Sequence, residues 1–405
     1  MRAKTASLAV MKLSHRLTNI TGGRSDGWDL FFRARAMIEA GAQITELTIG
    51  EHDISTSTDI LDAMSAAAKG GHTGYAAIPG TTALRKAVAA RITAQSGVAT
   101  SIDNITITPG GQSALFASHH AVLDEGDTAL YIDPYYATYP GTIRAVGARP
   151  LAVPADSAKG FQPRGADIAA AVKASGAKSL LINTPNNPTG AVYSKPTLQD
   201  IAKACIDNDL WLISDEVYDS QIWEGAHLSP RALPDMADRT LLVGSMSKSH
   251  AMTGSRVGWV CGPEQVIDNL ITLSTHTTYG VPGFIQDAAT YALSMGHPLE
   301  EQVAAPFRRR RLITQDLLTQ QNVVRAAPIQ GAMYAMLDVR ATGLSGEAFA
   351  NALLDSEQIA VMPGESFGQA AAGHIRVAMT IEDNAYINAI KRLLAFAAQL
   401  ASDKA

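Results

Sequence analysis

The chain has 405 residues, of which 46% are hydrophobic and 18% are charged, and its formal net charge is -5. This composition is typical of a globular protein long enough for one large and one smaller domain, and it argues against a disordered chain and a nucleic-acid partner. Residues 1–20 lack a continuous apolar stretch and no run reaches about 18 apolar residues, so neither a signal peptide nor a membrane span is expected.

The cysteine content is low and gives no sign of a metal site. Cys205 and Cys261 stand far apart and outside any CxxC or Cys/His pattern. Neither a disulfide framework nor a zinc site is indicated, and we predict no bound metal. A reducing, cytoplasmic location is expected.

The middle of the chain alternates between helical and strand-like patterns. A helical pattern at 81–94 is followed by short apolar runs rich in β-branched residues, with helical segments between them. Unbroken hydrophobic strands separated by helices predict an α/β fold with a mainly parallel sheet covered on both faces. The predicted strands are 105–107, 129–132, 179–182, 210–213 and 241–243.

The pattern changes after about residue 291. We predict a large domain at 46–290 and a smaller α+β domain formed by 1–45 together with 291–405. An arginine run lies in this part, at residues 308–311. Because no aromatic residues are interspersed with it, we expect it to be a solvated helix face and not a nucleic-acid site. The elements predicted in this part are a long helix carrying the arginine run 308–311, strands at 333–337 and 375–379, and a helix at 385–400.

A lysine follows the last of the predicted large-domain strands, in the segment Ser245-Met246-Ser247-Lys248. Arg256 stands eight positions further on, among small residues. Two hydroxyl groups, a lysine and an arginine beside glycines can hold a phosphate while the amine stays free to condense with an aldehyde. A solvated loop lysine is the simpler interpretation of the segment taken alone.

An aspartate, Asp215, closes the preceding predicted strand. Ligands of open α/β sheets bind at the carboxyl ends of strands, and a carboxylate there can pair with a pyridinium nitrogen and keep such a ring protonated. A helix cap would also account for an aspartate at this position. Tyr218 could hydrogen-bond a ring hydroxyl, or it could simply belong to the core.

Two loops rich in turn-forming residues follow other predicted strands. Residues 183–190 read Asn-Thr-Pro-Asn-Asn-Pro-Thr-Gly, and an asparagine held between prolines is stiff enough to point its amide at a ring oxygen. Residues 110–115 read Gly-Gly-Gln-Ser-Ala-Leu and open a helix, so their backbone N–H groups can form an anion site. A plain loop and a plain strand-to-helix turn remain the alternatives.

Taken together and in this order, the motifs resemble those of the class I aminotransferases. Tyr75, Gly80 and Arg85 precede the glycine turn as they do in that family, and the similarity extends from about residue 47 to 379. The resemblance implies pyridoxal 5'-phosphate (PLP) as the cofactor. It also implies the fold type I architecture, with a mainly parallel seven-stranded sheet flanked by helices and a smaller α+β domain.

The resemblance also implies a role for each candidate residue. Lys248 would carry PLP as a Schiff base, Asp215 would face the pyridine nitrogen, and Tyr218 would bond the ring hydroxyl together with Asn187. A homodimer is the expected unit, because the family's counterpart of Tyr75 reaches the phosphate of the neighbouring subunit. The other cofactor-binding residues implied are Gly111, Gln112, Ser113, Ser245, Ser247 and Arg256 at the phosphate and Tyr136 stacked on the ring.

The implied substrate contacts lie outside these motifs. Arg376 matches the arginine that grips the substrate α-carboxylate, while Gly50 and Asn187 line the pocket. Without the resemblance, Arg376 would be interpreted as an exposed strand arginine and Gly50 as part of a turn. The implied reaction moves the amino group of an L-amino acid to a 2-oxo acid such as pyruvate or 2-oxoglutarate by a ping-pong mechanism, with Lys248 as general base.

Substrate choice depends on fewer residues. Gln112 stands where related bacterial aspartate enzymes carry a lysine for the distal carboxylate, which argues against a dicarboxylate preference. Residues 247–260, 279–289 and 371–377 are similar to bacterial arginine–pyruvate transaminases. The alternatives are a PLP-dependent C–S β-lyase of the same fold and a PLP-sensing regulatory domain. The second is disfavoured because no basic helix-turn-helix precedes Leu47.

Overall fold

The computed structural model of the protein describes residues 11–23 and 27–403. Residues 1–10, 24–26, 404 and 405 lie outside the described part, and so does the portion of the predicted smaller domain that they make up. The α-helices are α1 (His15–Thr18), α2 (Asp29–Glu39), α3 (Thr58–Lys69), α4 (Thr82–Ser96), α5 (Gly111–Val122), α6 (Tyr139–Ala145), α7 (Gly165–Ser175), α8 (Lys195–Asp207), α9 (Met246–Ser249), α10 (Glu264–Thr275), α11 (Gly283–Ser294), α12 (His297–Thr319), α13 (Gly346–Glu357) and α14 (Asp383–Ser402).

The strands form three sheets, two of them small. They are β1 (Thr45–Glu46), β2 (Ile105–Thr108), β3 (Thr128–Asp133), β4 (Arg149–Pro154), β5 (Ser179–Asn183), β6 (Trp211–Asp215), β7 (Thr240–Ser245), β8 (Gly258–Cys261), β9 (Arg325–Ala326), β10 (Tyr334–Asp338), β11 (Ile359–Ala360), β12 (Met362–Pro363) and β13 (His374–Ala378). No helix in the described ranges combines the length and the apolar character that a membrane crossing requires.

The central sheet confirms the predicted fold. Its seven strands lie in the order β2-β8-β7-β6-β5-β3-β4. Neighbours from β4 through β7 pair in parallel, whereas β8 is antiparallel to both β7 and β2. The six other strands therefore run in one direction. All five strands predicted between residues 105 and 243 are present, and β4 and β8 are the two that the sequence patterns did not indicate.

The faces of this sheet are covered by different helices, as the unbroken apolar strands predicted. Along β3, Leu130 and Ile132 pack into a core that includes Ile168 of α7 and Leu198 of α8. The alternate residues of the same strand pack on the other side, against α5, α6 and α10. The two-residue period of a strand thus divides one apolar run between two cores.

The C-terminal part contains a four-stranded sheet in the order β12-β13-β10-β9, in which every pair is antiparallel. β1 pairs with β11 in a separate two-stranded sheet. One core joins Leu30 of α2, Phe307 of α12, Phe349 of α13 and Leu393 of α14 to β10 and β13. The helices and strands predicted after residue 291 are present as α12, β10, β13 and α14.

The prediction of a solvated arginine run on α12 is wrong for two of its four residues. Arg310 and Arg311 are 3% and 7% exposed. Arg310 forms ion pairs with Asp53 and Asp383, and Arg311 donates to the Ile329 carbonyl at 2.8 Å. Planar guanidinium groups can be buried where several acceptors converge on them. Here the acceptors come from distant parts of the chain, so the local sequence did not show them.

Candidate active site

Most of the candidate residues meet at one edge of the central sheet. The carboxyl ends of β5, β6 and β7 lie together there, because these strands are parallel neighbours. A cavity of about 310 Å³ opens at this edge and is lined by residues of both the central and the four-stranded sheet. The candidates that line it are Gly50, Gly111, Gln112, Tyr136, Asn187, Asp215, Tyr218, Ser245, Ser247, Lys248, Arg256 and Arg376.

Two candidates lie outside this cavity. Ser113 lines a larger neighbouring cavity of about 870 Å³, which shares Gln112 with the first. Tyr75 lies on the surface with 92% of its area exposed, and its ring packs edge-on against Tyr279 with 5.2 Å between ring centroids. The described chain therefore does not bring Tyr75 into its own site.

Lys248 lies on the short helix α9, which Ser245 caps through a hydrogen bond from the Ser247 amide to its hydroxyl. The Lys248 Nζ donates to the Gly50 carbonyl at 2.5 Å. Burial lowers the pKa of Lys248, against the opposing influence of nearby Tyr334. A buried amine whose pKa is lowered gives up its proton more readily, which suits a nucleophile or a general base.

The backbone of Lys248 is fixed by two side chains that the motifs did not indicate. His52 Nε2 and Gln221 Nε2 both hydrogen-bond to the Lys248 carbonyl, at 3.0 and 3.1 Å. Burial lowers the pKa of His52 to about 4, with the charge of Lys248 as a second cause. The imidazole is therefore neutral at physiological pH and acts as a hydrogen-bonding support.

Asp215 ends β6 and is almost completely buried. The Tyr139 hydroxyl donates to its Oδ2 at 2.7 Å, and the Val217 amide donates to its Oδ1 at 3.3 Å. Burial raises the pKa of Asp215 to about 6, and the hydrogen bond from Tyr139 is the largest opposing influence. A cation placed beside such a carboxylate would favour its ionised form.

Arg376 crosses the cavity from β13 and is 1% exposed. The alternative interpretation of an exposed strand arginine is therefore wrong. Its Nη1 donates to Asn187 Oδ1 at 2.8 Å, and its Nη2 donates to the Thr48 carbonyl. The guanidinium carbon lies 4.5 Å from the ring centroid of Tyr334 and 4.4 Å from that of Phe367. Within the described part of the chain, its Nε has no hydrogen-bond partner.

A hydroxyl pair connects this arginine to the rest of the site. The hydroxyls of Tyr218 and Tyr334 lie 3.0 Å apart, and Asn187 Nδ2 lies 3.5 Å from the Tyr334 oxygen. Burial raises the pKa of Tyr218 well above its ordinary value, and Tyr334 adds to that effect. The Tyr218 phenol is therefore protonated and able to donate a hydrogen bond to a ligand.

The start of α5 has the features expected of an anion site. The first-turn amides of a helix have no acceptor within the helix and concentrate positive potential. Arg256 lies close to them: a Cβ atom built on Gly110 would lie 2.4 Å from the Arg256 Nη2. The Ser245 and Ser247 hydroxyls lie 3.0 Å apart at the same edge. This combination suits a phosphate dianion.

Gln112 is held by its neighbours and carries no charge. Its Nε2 donates to the Thr142 hydroxyl at 2.7 Å, and its Oε1 accepts from the Thr138 hydroxyl at 3.1 Å. Tyr136 lines the same cavity, and burial raises the pKa of its phenol. The wall near α5 and α6 is thus formed by neutral side chains.

The donor set fits PLP. The helix start with Arg256 suits its phosphate, the buried Lys248 amine suits its aldehyde, and Asp215 suits its ring nitrogen. The buried Nε of Arg376, which has no partner among the described residues, leaves a donor for a substrate anion. In the ranges 11–23 and 27–403, no three His, Cys, Asp or Glu side chains are grouped so as to hold a metal ion. Fold and site together define a PLP-dependent transferase.

Comparison with known proteins identifies the family. The family model described as aminotransferase class I and II matches residues 42–393. The chain is 39% identical to the arginine–pyruvate transaminase AruH of Pseudomonas aeruginosa over 96% of its own length and 99% of that protein. It is 32% identical to the aspartate/prephenate aminotransferase of Thermus thermophilus over 89% of its own length and 92% of that protein.

A solved structure leads to the same conclusion. A single mutant of Thermus thermophilus aspartate aminotransferase superposes with a TM-score of 0.89 at 31% identity, covering 96% of this chain and 100% of that one. The chain therefore belongs to the class I and II aminotransferase family. It is a PLP-dependent aminotransferase that acts on amino and 2-oxo acids.

Proposed function

We propose that this aminotransferase uses L-arginine as amino donor and pyruvate as acceptor. The observation that carries the proposal is the 39% identity to the arginine–pyruvate transaminase AruH over almost the full length of both proteins. Gln112 supports it, because a neutral amide held by Thr138 and Thr142 gives no counter-charge to a distal carboxylate. The Glu51 carboxylate, which lines the cavity, would favour a cationic side chain.

The cofactor-binding residues are proposed as follows. When bound, PLP supplies an aldehyde that condenses with amines and a ring that withdraws electrons. Lys248 is its attachment point, and Asp215 holds the proton on the ring nitrogen. Tyr218 and Asn187 donate to the ring hydroxyl, while Tyr136 covers the ring. The phosphate is held by Gly111, Gln112, Ser113, Ser245, Ser247 and Arg256.

The substrate-binding residues act around this centre. Arg376 and Asn187 bind the α-carboxylate, and Gly50 lines the substrate pocket next to the Tyr334 hydroxyl. In the first half of the reaction, Lys248 Nζ would take the proton from the substrate Cα and pass it to the aldehyde carbon of the cofactor. In the second half it would move a proton in the reverse direction, to the Cα of the product amino acid. Its lowered pKa supports this role, because the free amine must be unprotonated to accept a proton.

The assembly and the domain division are also part of the proposal. The exposed aromatic pair Tyr75 and Tyr279 supports a homodimer in which Tyr75 reaches the phosphate of the partner subunit. A large domain at 46–290 and a small domain of 1–45 and 291–405 agree with the separate sheets formed by these segments. Buried, unbonded Cys205 and Cys261 are consistent with a reducing cytoplasm.

An amino-donor panel on the purified, PLP-loaded protein tests the proposed function. We expect arginine-dependent formation of alanine from pyruvate, with parallel double-reciprocal plots, and much slower turnover of aspartate. Absence of arginine turnover, or a preference for aspartate with 2-oxoglutarate, would overturn the substrate assignment. Release of pyruvate from cystathionine without any acceptor would indicate the β-lyase instead.

A further inference from the structure

Asp133 is a buried carboxylate that lines the larger neighbouring cavity, and it has no role in the functions proposed above. It ends β3, and 5% of its surface is exposed. Its Oδ2 accepts hydrogen bonds from the amides of Gln369 at 3.0 Å and Ala370 at 3.3 Å. These two amides open the short 3-10 turn Gln369–Ala371. A strand end of the central sheet thus caps a turn that precedes the substrate-binding strand β13.

Phe367, two residues before this turn, touches the proposed carboxylate-binding arginine. The Phe367 carbonyl accepts from the Tyr135 amide at 2.9 Å, so the turn is attached to the segment after β3 at a second point. The Phe367 side chain is fully buried, and its ring lies against the Arg376 guanidinium at 4.4 Å. The position of this ring therefore depends on how the turn is held.

The contact between Asp133 and the turn has no spare room. Gly368 has a φ of +117°, and a Cβ atom built on it would lie 2.0 Å from Asp133 Oδ1. Only a residue without a side chain fits against the carboxylate at that distance. The carboxylate and the glycine therefore form one closely fitted joint between the two parts of the site.

We infer that Asp133 is a positioning residue for substrate carboxylate binding. By capping the turn it fixes Phe367, which keeps the Arg376 guanidinium oriented toward the site. Asn187 and Thr48 hold the hydrogen-bonding edge of this guanidinium, and Tyr334 and Phe367 contact its flat surface. The inference rests on the proposed function, in which Arg376 binds the α-carboxylate.

The test compares the best amino donor of the panel with the corresponding amine that lacks the α-carboxylate. For arginine this amine is agmatine. In Asp133→Ala we expect kcat/KM for the amino acid to fall by about tenfold to a hundredfold, as expected for a misplaced binding group, and the slow reaction of the amine to be unchanged. The discrimination between the two compounds is then reduced.

A second variant breaks the same joint from the other side. Gly368→Ala keeps the carboxylate but places a methyl group against it, so we expect the same loss of discrimination. Asp156→Ala is the matched control, because this aspartate also caps a 3-10 turn, by accepting from the Ala158 amide at 2.8 Å. We expect no change for that variant. The affinity for the carboxylic acid that lacks the donor's α-amino group, measured by calorimetry, gives a readout independent of turnover. We expect this affinity to weaken in Asp133→Ala and Gly368→Ala.

The outcomes separate this inference from the proposed function. If Arg376→Ala itself leaves the discrimination intact, the assignment of Arg376 fails, and the inference fails with it. If Arg376→Ala abolishes the discrimination while Asp133→Ala and Gly368→Ala retain it, only the inference is overturned. Equal losses for amino acid and amine in both joint variants would indicate general damage to the fold and would also overturn it. Should Asp133→Ala not fold, Asp133→Leu, which has a similar branched shape and no hydrogen-bond acceptor, takes its place.

Discussion

Two regions of the site are built in different ways. The first, which we propose holds the cofactor and which we call the cofactor floor, consists of Asp215, Ser245 and Lys248. It comes from the ends of adjacent parallel strands and the helix that follows. The second, which we propose binds the substrate and which we call the substrate wall, consists of Tyr334 and Arg376, with Phe367 packed against Arg376. It comes from the four-stranded sheet and a turn that packs on the central sheet. The floor is fixed by one sheet, whereas the wall depends on how two parts of the chain fit together. We therefore expect floor variants to abolish chemistry and wall variants to weaken substrate binding.

The largest effect is expected at the floor, for Lys248→Ala. Loss of the only amine proposed to hold the cofactor and move the substrate proton should lower kcat by about four orders of magnitude, the upper range for general base catalysis. Borohydride reduction followed by peptide mass analysis should find a pyridoxyl group on Lys248 in the parent protein. Lys203→Ala, which removes an exposed lysine paired with Asp207, should retain full activity and the same adduct. A pyridoxyl adduct on another residue of Lys248→Ala would refute the assignment of Lys248 as the attachment point.

At the wall, Arg376→Ala should leave the cofactor in place and impair substrate binding. Charge-assisted hydrogen bonds contribute about 1.5 to 3 kcal/mol each, so loss of two of them should lower kcat/KM by at least about a hundredfold. The visible spectrum of the Lys248-bound cofactor should be unchanged. Arg325→Ala, on the exposed strand β9 of the same sheet, is the control. If Arg376→Ala loses PLP instead, Arg376 belongs to the cofactor floor, and the contrast between the two regions does not hold.

This contrast also explains what could be predicted from the sequence. Asp215 and Lys248 follow apolar runs directly, and parallel strand ends meet, so local patterns located the floor. The partners of Arg376 could not be located in this way, because Thr48 lies 328 residues before it and no local pattern connects them. Tyr139 and Tyr334 were missed because a tyrosine within an apolar segment is usually core.

The fold was predicted to a similar extent. The five buried parallel strands and the later helices follow from apolar periodicity. β4 was not predicted, because it is an edge strand that contains two prolines and in which exposed and less exposed residues alternate. β8 has four residues and is antiparallel, and it begins two residues after Arg256, where the segment interpreted as a phosphate motif ends. Short and edge strands carry the weakest hydrophobic signal.

An intermediate effect is expected for Asp215→Asn, with opposite signs for activity and stability. Asp215 has its folded-state pKa raised to about 6 from 3.8, mainly by burial. In the cofactor-free protein its contribution to stability is therefore fully present below about pH 4 and is lost as the pH rises through about 6. The shift corresponds to at most about 3 kcal/mol.

The measurement is urea unfolding of the cofactor-free proteins at pH 5 and pH 8. The parent should lose stability between these values relative to Asp215→Asn, which has no charge to bury, while the variant should bind PLP weakly and turn over slowly. Asp207→Asn, an exposed aspartate paired with Lys203, should follow the parent. If parent and variant show the same pH dependence, burial of the Asp215 charge does not limit the stability of the cofactor-free floor.

The smallest effect is expected for Tyr334→Phe, which removes one hydroxyl from the wall and keeps the ring against Arg376. That hydroxyl lies 3.0 Å from the Tyr218 oxygen and 3.5 Å from Asn187 Nδ2. A neutral hydrogen bond contributes about 1 kcal/mol, so its loss should raise KM by roughly fivefold while kcat changes little. Tyr193→Phe, which removes a hydroxyl from a buried core tyrosine, controls for general destabilisation. A drop in kcat without a change in KM would mean that this hydroxyl acts on the chemistry, and the boundary between floor and wall would then have to include Tyr334 with the floor.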